Sequence, residues 1–197
     1  MFNPERMLEI RWHGRGGQGA VTSAEILAEA AISEGKYAQA FPSFGPERRG
    51  APVQAFNRIS ASKQIRIRSS VTDPDVVVVL DPGLMSVVKV TSGIKPGGIV
   101  IINTAKTAQQ IKTEFSPNSH IATVEATRIA LEELGVPITN TTMLGAVIKA
   151  TEAVKLESIF EPIRKRFGRL AEKNIAALKR AYQETVIEEL GVGQVIK

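Results

Sequence analysis

Four glycines crowd into six residues at Gly14-Arg15-Gly16-Gly17-Gln18-Gly19, and three of them, Gly14, Gly16 and Gly19, fit the spacing G-x-G-x-x-G. Glycine at the first position permits a sharp turn, at the second a close backbone approach to a ligand, and at the third tight helix–strand packing. The unpaired N–H groups that follow, together with the dipole of the helix they start, make a receptor for phosphate oxygens. Each charge-assisted hydrogen bond of this kind is worth roughly 1.5–3 kcal/mol, so three or four suffice to anchor a pyrophosphate. The chemistry on offer is anion or nucleotide binding. A glycine-lined turn pressed against another chain is the alternative.

Other candidates are fewer. Phe41-Pro42-Ser43-Phe44-Gly45-Pro46-Glu47-Arg48-Arg49-Gly50 is a loop by its prolines and glycines, and it carries Arg48 and Arg49 toward a phosphate or toward an acidic partner surface. Glu47 can pair with either arginine. Asn140, at the start of a helix-like run, offers an amide. Gln18 either contacts a ligand or holds the loop, and His13 reads more simply as a structural hydrogen-bonding group than as an acid–base catalyst. Ala20 stands where a Walker loop needs lysine. An NAD site would want an acid near the end of the second strand, but Tyr37-Ala38-Gln39-Ala40-Phe41 has none. No local motif assembles a Ser–His–Asp set, and no G-D-G segment for holding Mg²⁺ is present. The chain reads as a ligand-binding part of something larger.

The elements around these residues follow from periodicity. Residues 7–12 alternate as a strand, 17–33 repeat small residues at helical spacing, and Gly35 suits the helix end. Residues 37–41 form a second strand. Residues 52–59 and 64–68 both alternate apolar and polar, which predicts an antiparallel hairpin with one wet face carrying Arg66 and Arg68. The aliphatic runs 76–80 and 99–103 read as parallel strands buried on both faces. Residues 84–92, 106–113 and 125–134 read as helices, 121–124 as a strand, and 140–154 as a helix with Met143 in its core stripe. The remainder is helical, with Arg164-Lys165-Arg166 a solvated face or a subunit contact. Together these predict a single α/β domain over 1–197. Its α/β core, 1–155, is a mainly parallel Rossmann-like sheet with helices on both faces and an antiparallel hairpin insertion; 156–197 is a C-terminal helical segment.

Composition narrows the function. With 197 residues the chain suits one domain able to bury about 70% of its extended surface. It has no cysteine, so it holds neither a disulfide nor a cysteine-ligated cluster, and its two histidines are far apart. The net charge of +5 favours an anionic partner, while aromatics at 5% without basic interleaving argue against a nucleic-acid platform. No 18-residue apolar window and no signal-peptide core are present, which predicts a cytoplasmic protein without a membrane segment.

With the glycine loop and the 41–50 loop both present, the chain resembles the gamma subunit of the pyruvate (2-oxoacid):ferredoxin oxidoreductases. The strand before Asp81, Val124-Glu125-Ala126-Thr127-Arg128-Ile129-Ala130 and Asn140-Thr141-Thr142-Met143-Leu144-Gly145-Ala146 fit the same pattern, over roughly residues 7–155. The resemblance implies a complex that decarboxylates a 2-oxoacid and passes electrons to ferredoxin. Thiamine diphosphate, Mg²⁺ and iron–sulfur clusters would sit on companion alpha, beta and delta chains. It also implies coenzyme A binding at the gamma part, which Gly14, Arg15, Gly16, Gly17, Gln18, Gly19, Arg48, Arg49 and Asn140 could serve. A structural interface subunit without a ligand, or a free-standing nucleotide-binding oxidoreductase, stand as alternatives.

Overall fold

A computed structural model of the chain describes residues 5–43, 50–115 and 119–188. Among the described residues, seven strands form one sheet: β1 (Leu8–Arg15), β2 (Tyr37–Pro42), β3 (Pro52–Ser60), β4 (Val76–Val79), β5 (Ile99–Asn103), β6 (His120–Val124) and β7 (Val186–Glu188). Their spatial order is β2-β3-β1-β4-β5-β6-β7. β1, β4, β5 and β6 make a parallel core, while β3 joins β1, β2 joins β3 and β7 joins β6 in antiparallel fashion.

The described residues also form six α-helices: α1 (Ala20–Ser33), α2 (Ala108–Phe115), α3 (Ala126–Leu134), α4 (Asn140–Thr151), α5 (Phe160–Phe167) and α6 (Ala171–Glu184). The unbroken aliphatic run of β4 is explained by cover on both faces. Val76 and Val78 pack with Trp12, Leu27 and Leu144 on the side of α1 and α4. Val77 and Val79 pack with Leu84, Val90 and Ile111 on the side of α2. Each such fully buried side chain contributes roughly 1.5–3 kcal/mol. α1 ends as expected: Gly35 takes φ 80°, its N–H bonds the Ile32 carbonyl, and Lys36 N–H bonds the Ala31 carbonyl.

Three expectations are corrected. Residues 64–68 are not a strand, because β3 is already paired along both edges, to β1 and to β2. The carbonyls of that segment are taken by side chains instead: Gln39 Nε2 bonds Ile65 O and Arg58 bonds Ile67 O. Residues 84–92 do not form a helix beyond one 3-10 turn, Pro82–Ser86. The chain there turns the Val90 and Ser92 carbonyls sideways onto the Arg11 guanidinium, which a helix would aim along its own axis. Finally, Val186 lies not on a helix but in β7, at the edge of the sheet.

α4 and α6 run side by side in the same direction, with Thr141 Oγ1 donating to Asn174 Oδ1 at 2.6 Å, Gly145 against Leu178 and Tyr182, and Lys149 over the Tyr182 ring. Gly145 permits that approach: a Cβ there would lie 2.1 Å from the Leu178 carbonyl oxygen.

Candidate functional site

β1 delivers the glycine loop to the carboxyl end of the parallel strands, between β3 and β4, where open α/β sheets hold ligands. The strand is anchored just before it, because Trp12 Nε1 donates to Asn57 Oδ1 (2.8 Å) and Asn57 Nδ2 donates to the Ala24 carbonyl of α1 (2.8 Å). Gly14 is still extended strand, and its missing Cβ admits Leu80 and Ala20, so this glycine serves helix–strand packing. The turn itself falls to Gly17 (φ 95°) and Gly19 (φ 80°), which occupy the left-handed region that disfavours side chains. The two roles are therefore exchanged relative to the sequence expectation.

Half of the loop's amides are spoken for. Gly16 N–H bonds the Ala51 carbonyl and Gln18 N–H bonds the Arg15 carbonyl, both at 2.9 Å. The N–H groups of Gly17, Gly19, Ala20 and Val21 have no acceptor among the described residues, and Gly17 is exposed. With no acidic residue in the first turn of α1, the helix dipole there is uncompensated.

Asn140 closes the floor. Its side chain lies so near Gly19 that a Cβ on Gly19 would meet Asn140 Nδ2 at 2.7 Å. Ser23 Oγ donates to the Asn140 main-chain carbonyl (3.1 Å), so the starts of α1 and α4 are joined at this point. Asn140 is 5% exposed, and its Oδ1 has no hydrogen-bond partner among the described residues. Such buried polar atoms are uncommon, and a ligand is one way to satisfy them.

Gln18 holds the loop: its Oε1 accepts from Arg15 N–H at 2.7 Å. Arg15 does not extend freely into the crevice. Its Nε donates to Asp81 Oδ2 at 2.6 Å and its Nη1 to the Gly50 carbonyl at 3.3 Å. Asp81 is the residue that sequence reasoning missed, naming it only as the residue that a strand precedes. It stands two residues past the end of the aliphatic strand β4, the parallel neighbour of β1, and that position near a strand's carboxyl end was the available signal. Arg48 and Arg49 lie outside the described residues. Gly50 and Ala51 return to Gly16, through Gly50 N–H to Gly16 O and Gly16 N–H to Ala51 O.

His13 is structural. It is 3% exposed and its Nε2 accepts from Arg11 Nε at 3.1 Å, which only a neutral ring can do. Burial, reinforced by the Arg11 charge and partly opposed by a hydrogen bond with Val90, lowers its pKa from 6.5 to about 4. A depressed histidine leaves stability whole above pH 6.5 and removes it as pH falls toward about 4, by up to about 3 kcal/mol. Urea midpoints measured from pH 7 to 4 should show this slope, and His13→Gln should flatten it. A slope that survives the substitution would assign acid sensitivity to other groups.

The topology also excludes ordinary dinucleotide geometry. The strand beside β1 on that side is β3, running antiparallel, so no parallel second strand brings an acid to a ribose. Among the described residues, no helix is long and apolar enough to cross a membrane, and no three His, Asp or Glu side chains converge as a metal site.

Comparison with known proteins adds the following. Residues 9–184 match the family described as pyruvate ferredoxin/flavodoxin oxidoreductase. The chain is 58% identical over 186 residues to the common subunit gamma of pyruvate/ketoisovalerate oxidoreductases from Thermococcus litoralis, covering 93% of this chain and 100% of that protein. The crystal structure of pyruvate oxidoreductase subunit PORC from Thermotoga maritima superposes with a TM-score of 0.84 at 43% identity, over 93% of this chain and 99% of that one. A 2-oxoglutarate:ferredoxin oxidoreductase from Magnetococcus marinus, solved with 2-oxoglutarate, coenzyme A and succinyl-CoA bound, is similar in fold alone. Its TM-score is 0.74 at 20% identity, over 90% of this chain and 31% of that one.

Proposed function

Because the chain belongs to the pyruvate ferredoxin/flavodoxin oxidoreductase family as a gamma subunit, we propose that its glycine loop contributes the coenzyme A site of a 2-oxoacid:ferredoxin oxidoreductase. The observation that carries this reading is the pairing of open amides at the start of α1 with the unpartnered, buried Asn140 side chain. Coenzyme A supplies the thiol that takes up the acyl group. This chain's part is to hold the carrier: the amides of Gly17, Gly19 and Ala20 receive phosphate oxygens, and Asn140 meets a polar group of the same ligand. Gly14 and Gly16 keep the backbone close, Gln18 braces the loop, and Arg48 and Arg49 supply positive charge around the anion, with Arg15 beside them paired to Asp81.

The companion chains of this proposal are alpha, beta and delta subunits, holding thiamine diphosphate with Mg²⁺ and the iron–sulfur clusters, with ferredoxin as electron acceptor and the cytoplasm as the site of action. The relative from Thermococcus litoralis bears a name that makes it common to a pyruvate and a ketoisovalerate enzyme. A shared subunit does not carry what distinguishes two substrates, which supports placing 2-oxoacid selectivity on other chains.

Calorimetry on the purified chain tests the proposal. Coenzyme A should bind, and more weakly at high salt. Gly17→Asp should lower affinity at least about tenfold by setting a carboxylate before the amides. Gly17→Ala meets no atom of the described residues within 4 Å and shares only the backbone strain of φ 95°, so it is the control. Equal binding by wild type and Gly17→Asp excludes the loop as the binding element.

A further inference from the structure

Asp81 sets a carboxylate against the side chains of Arg15 and Gln18, two residues of the loop whose amides stand unbonded. Its Oδ2 accepts from Arg15 Nε (2.6 Å) and, at 3.4 Å, from Gln18 Nε2, while Oδ1 accepts from Gly83 N–H at 2.9 Å. Gln18 in turn accepts from Arg15 N–H, so the acid is tied to the two residues that shape the loop. The pair is partly shielded, with side chains 35% and 22% exposed for Arg15 and Asp81. The arginine adjoining the cradle is thus already neutralised by the protein's own anion.

We propose that Asp81 is an affinity-limiting residue: a resident anion that offsets Arg15 and keeps phosphate binding at the glycine loop weak. The inference rests on the coenzyme A reading and adds regulation of the same site. A co-substrate that arrives free and leaves acylated in every cycle must dissociate readily, and a carboxylate beside its phosphates raises the off-rate without altering the shape of the cradle. Repulsion between Asp81 and the ligand, and neutralisation of Arg15, act in the same direction.

Asp81→Asn tests this: the amide removes the charge, keeps one oxygen for Gly83 N–H, and turns its NH2 toward Arg15, which frees that guanidinium. Asp81→Ser is the second variant should the first not fold. Binding of coenzyme A and of inorganic pyrophosphate is measured on the full chain at low and high salt. Both ligands should bind the variant about tenfold more tightly at low salt, with the gain shrinking at high salt. A purely structural role predicts weaker binding with no such salt dependence. Unchanged or weaker binding of both ligands overturns the inference and leaves the coenzyme A reading standing. Tighter pyrophosphate binding with no coenzyme A binding by either protein sustains the inference and removes that reading. No binding of either ligand by any protein overturns both.

Discussion

An Arg11→Met variant is expected to lose about 3–5 kcal/mol of stability, enough to unfold much of the population of a marginally stable domain. Arg11 is 6% exposed, and its guanidinium donates to the main-chain carbonyls of Val71, Thr72, Val90 and Ser92 and to His13 Nε2. Methionine fills the volume but leaves these acceptors without donors, at roughly 1–3 kcal/mol for each one that water cannot reach. Arg11→Lys restores the charge but not the planar fork, and should recover only part of the loss. Urea titration reads the effect. A second signal is independent of folding energy: without the neighbouring charge, the His13 pKa should rise in an NMR titration. A variant within about 1 kcal/mol of wild type would mean that the 71–72 and 90–92 segments are not fastened through this side chain.

Gly145→Val is the second large effect. Alanine is favoured over glycine inside a helix by about 1 kcal/mol, so propensity alone predicts stabilisation for a small side chain. Geometry decides otherwise. Any Cβ at 145 meets the Leu178 carbonyl oxygen at 2.1 Å and the Tyr182 nitrogen at 2.8 Å, and both are backbone atoms that cannot swing aside. α4 and α6 must separate, opening the contacts of Leu144 and Ile148 with the α6 stripe Ile175, Leu178 and Ala181. Gly145→Ala should cost about 2 kcal/mol net and Gly145→Val about 3 or more. Gly135→Ala, where φ is 77° but no atom lies within 4 Å, should cost about 1 kcal/mol by comparison. A Gly145→Ala protein as stable as wild type would contradict the close crossing.

What the sequence disclosed was local. The glycine loop stands between a strand and a helix as its spacing predicts, and the aliphatic runs of β4 and β5 lie buried between two layers because each residue alone declares it is apolar. Alternation in 52–59 correctly announced a strand but not its neighbours. Pairing is settled by distant segments, here β1 and β2, and those left no edge of β3 for 64–68. Arg66 and Arg68 looked like a strand face, whereas Arg11 and Arg58, the arginines that organise carbonyls, looked like ordinary strand residues. Asp81 was hidden for the same reason. Its meaning comes from facing Arg15 across 66 positions of chain. Asn140 was legible as a helix start, but its proximity to Gly19 required the fold.

The parallel seating of α6 on α4 bears on the order in which a ribosome releases the chain. Leu144, Val147 and Ile148 leave the exit tunnel well before Ile175, Leu178 and Ala181, which share their cluster, and β7 joins β6 only after both. A nascent chain halted after α4 therefore shows an apolar flank to chaperones until the later helix closes over it.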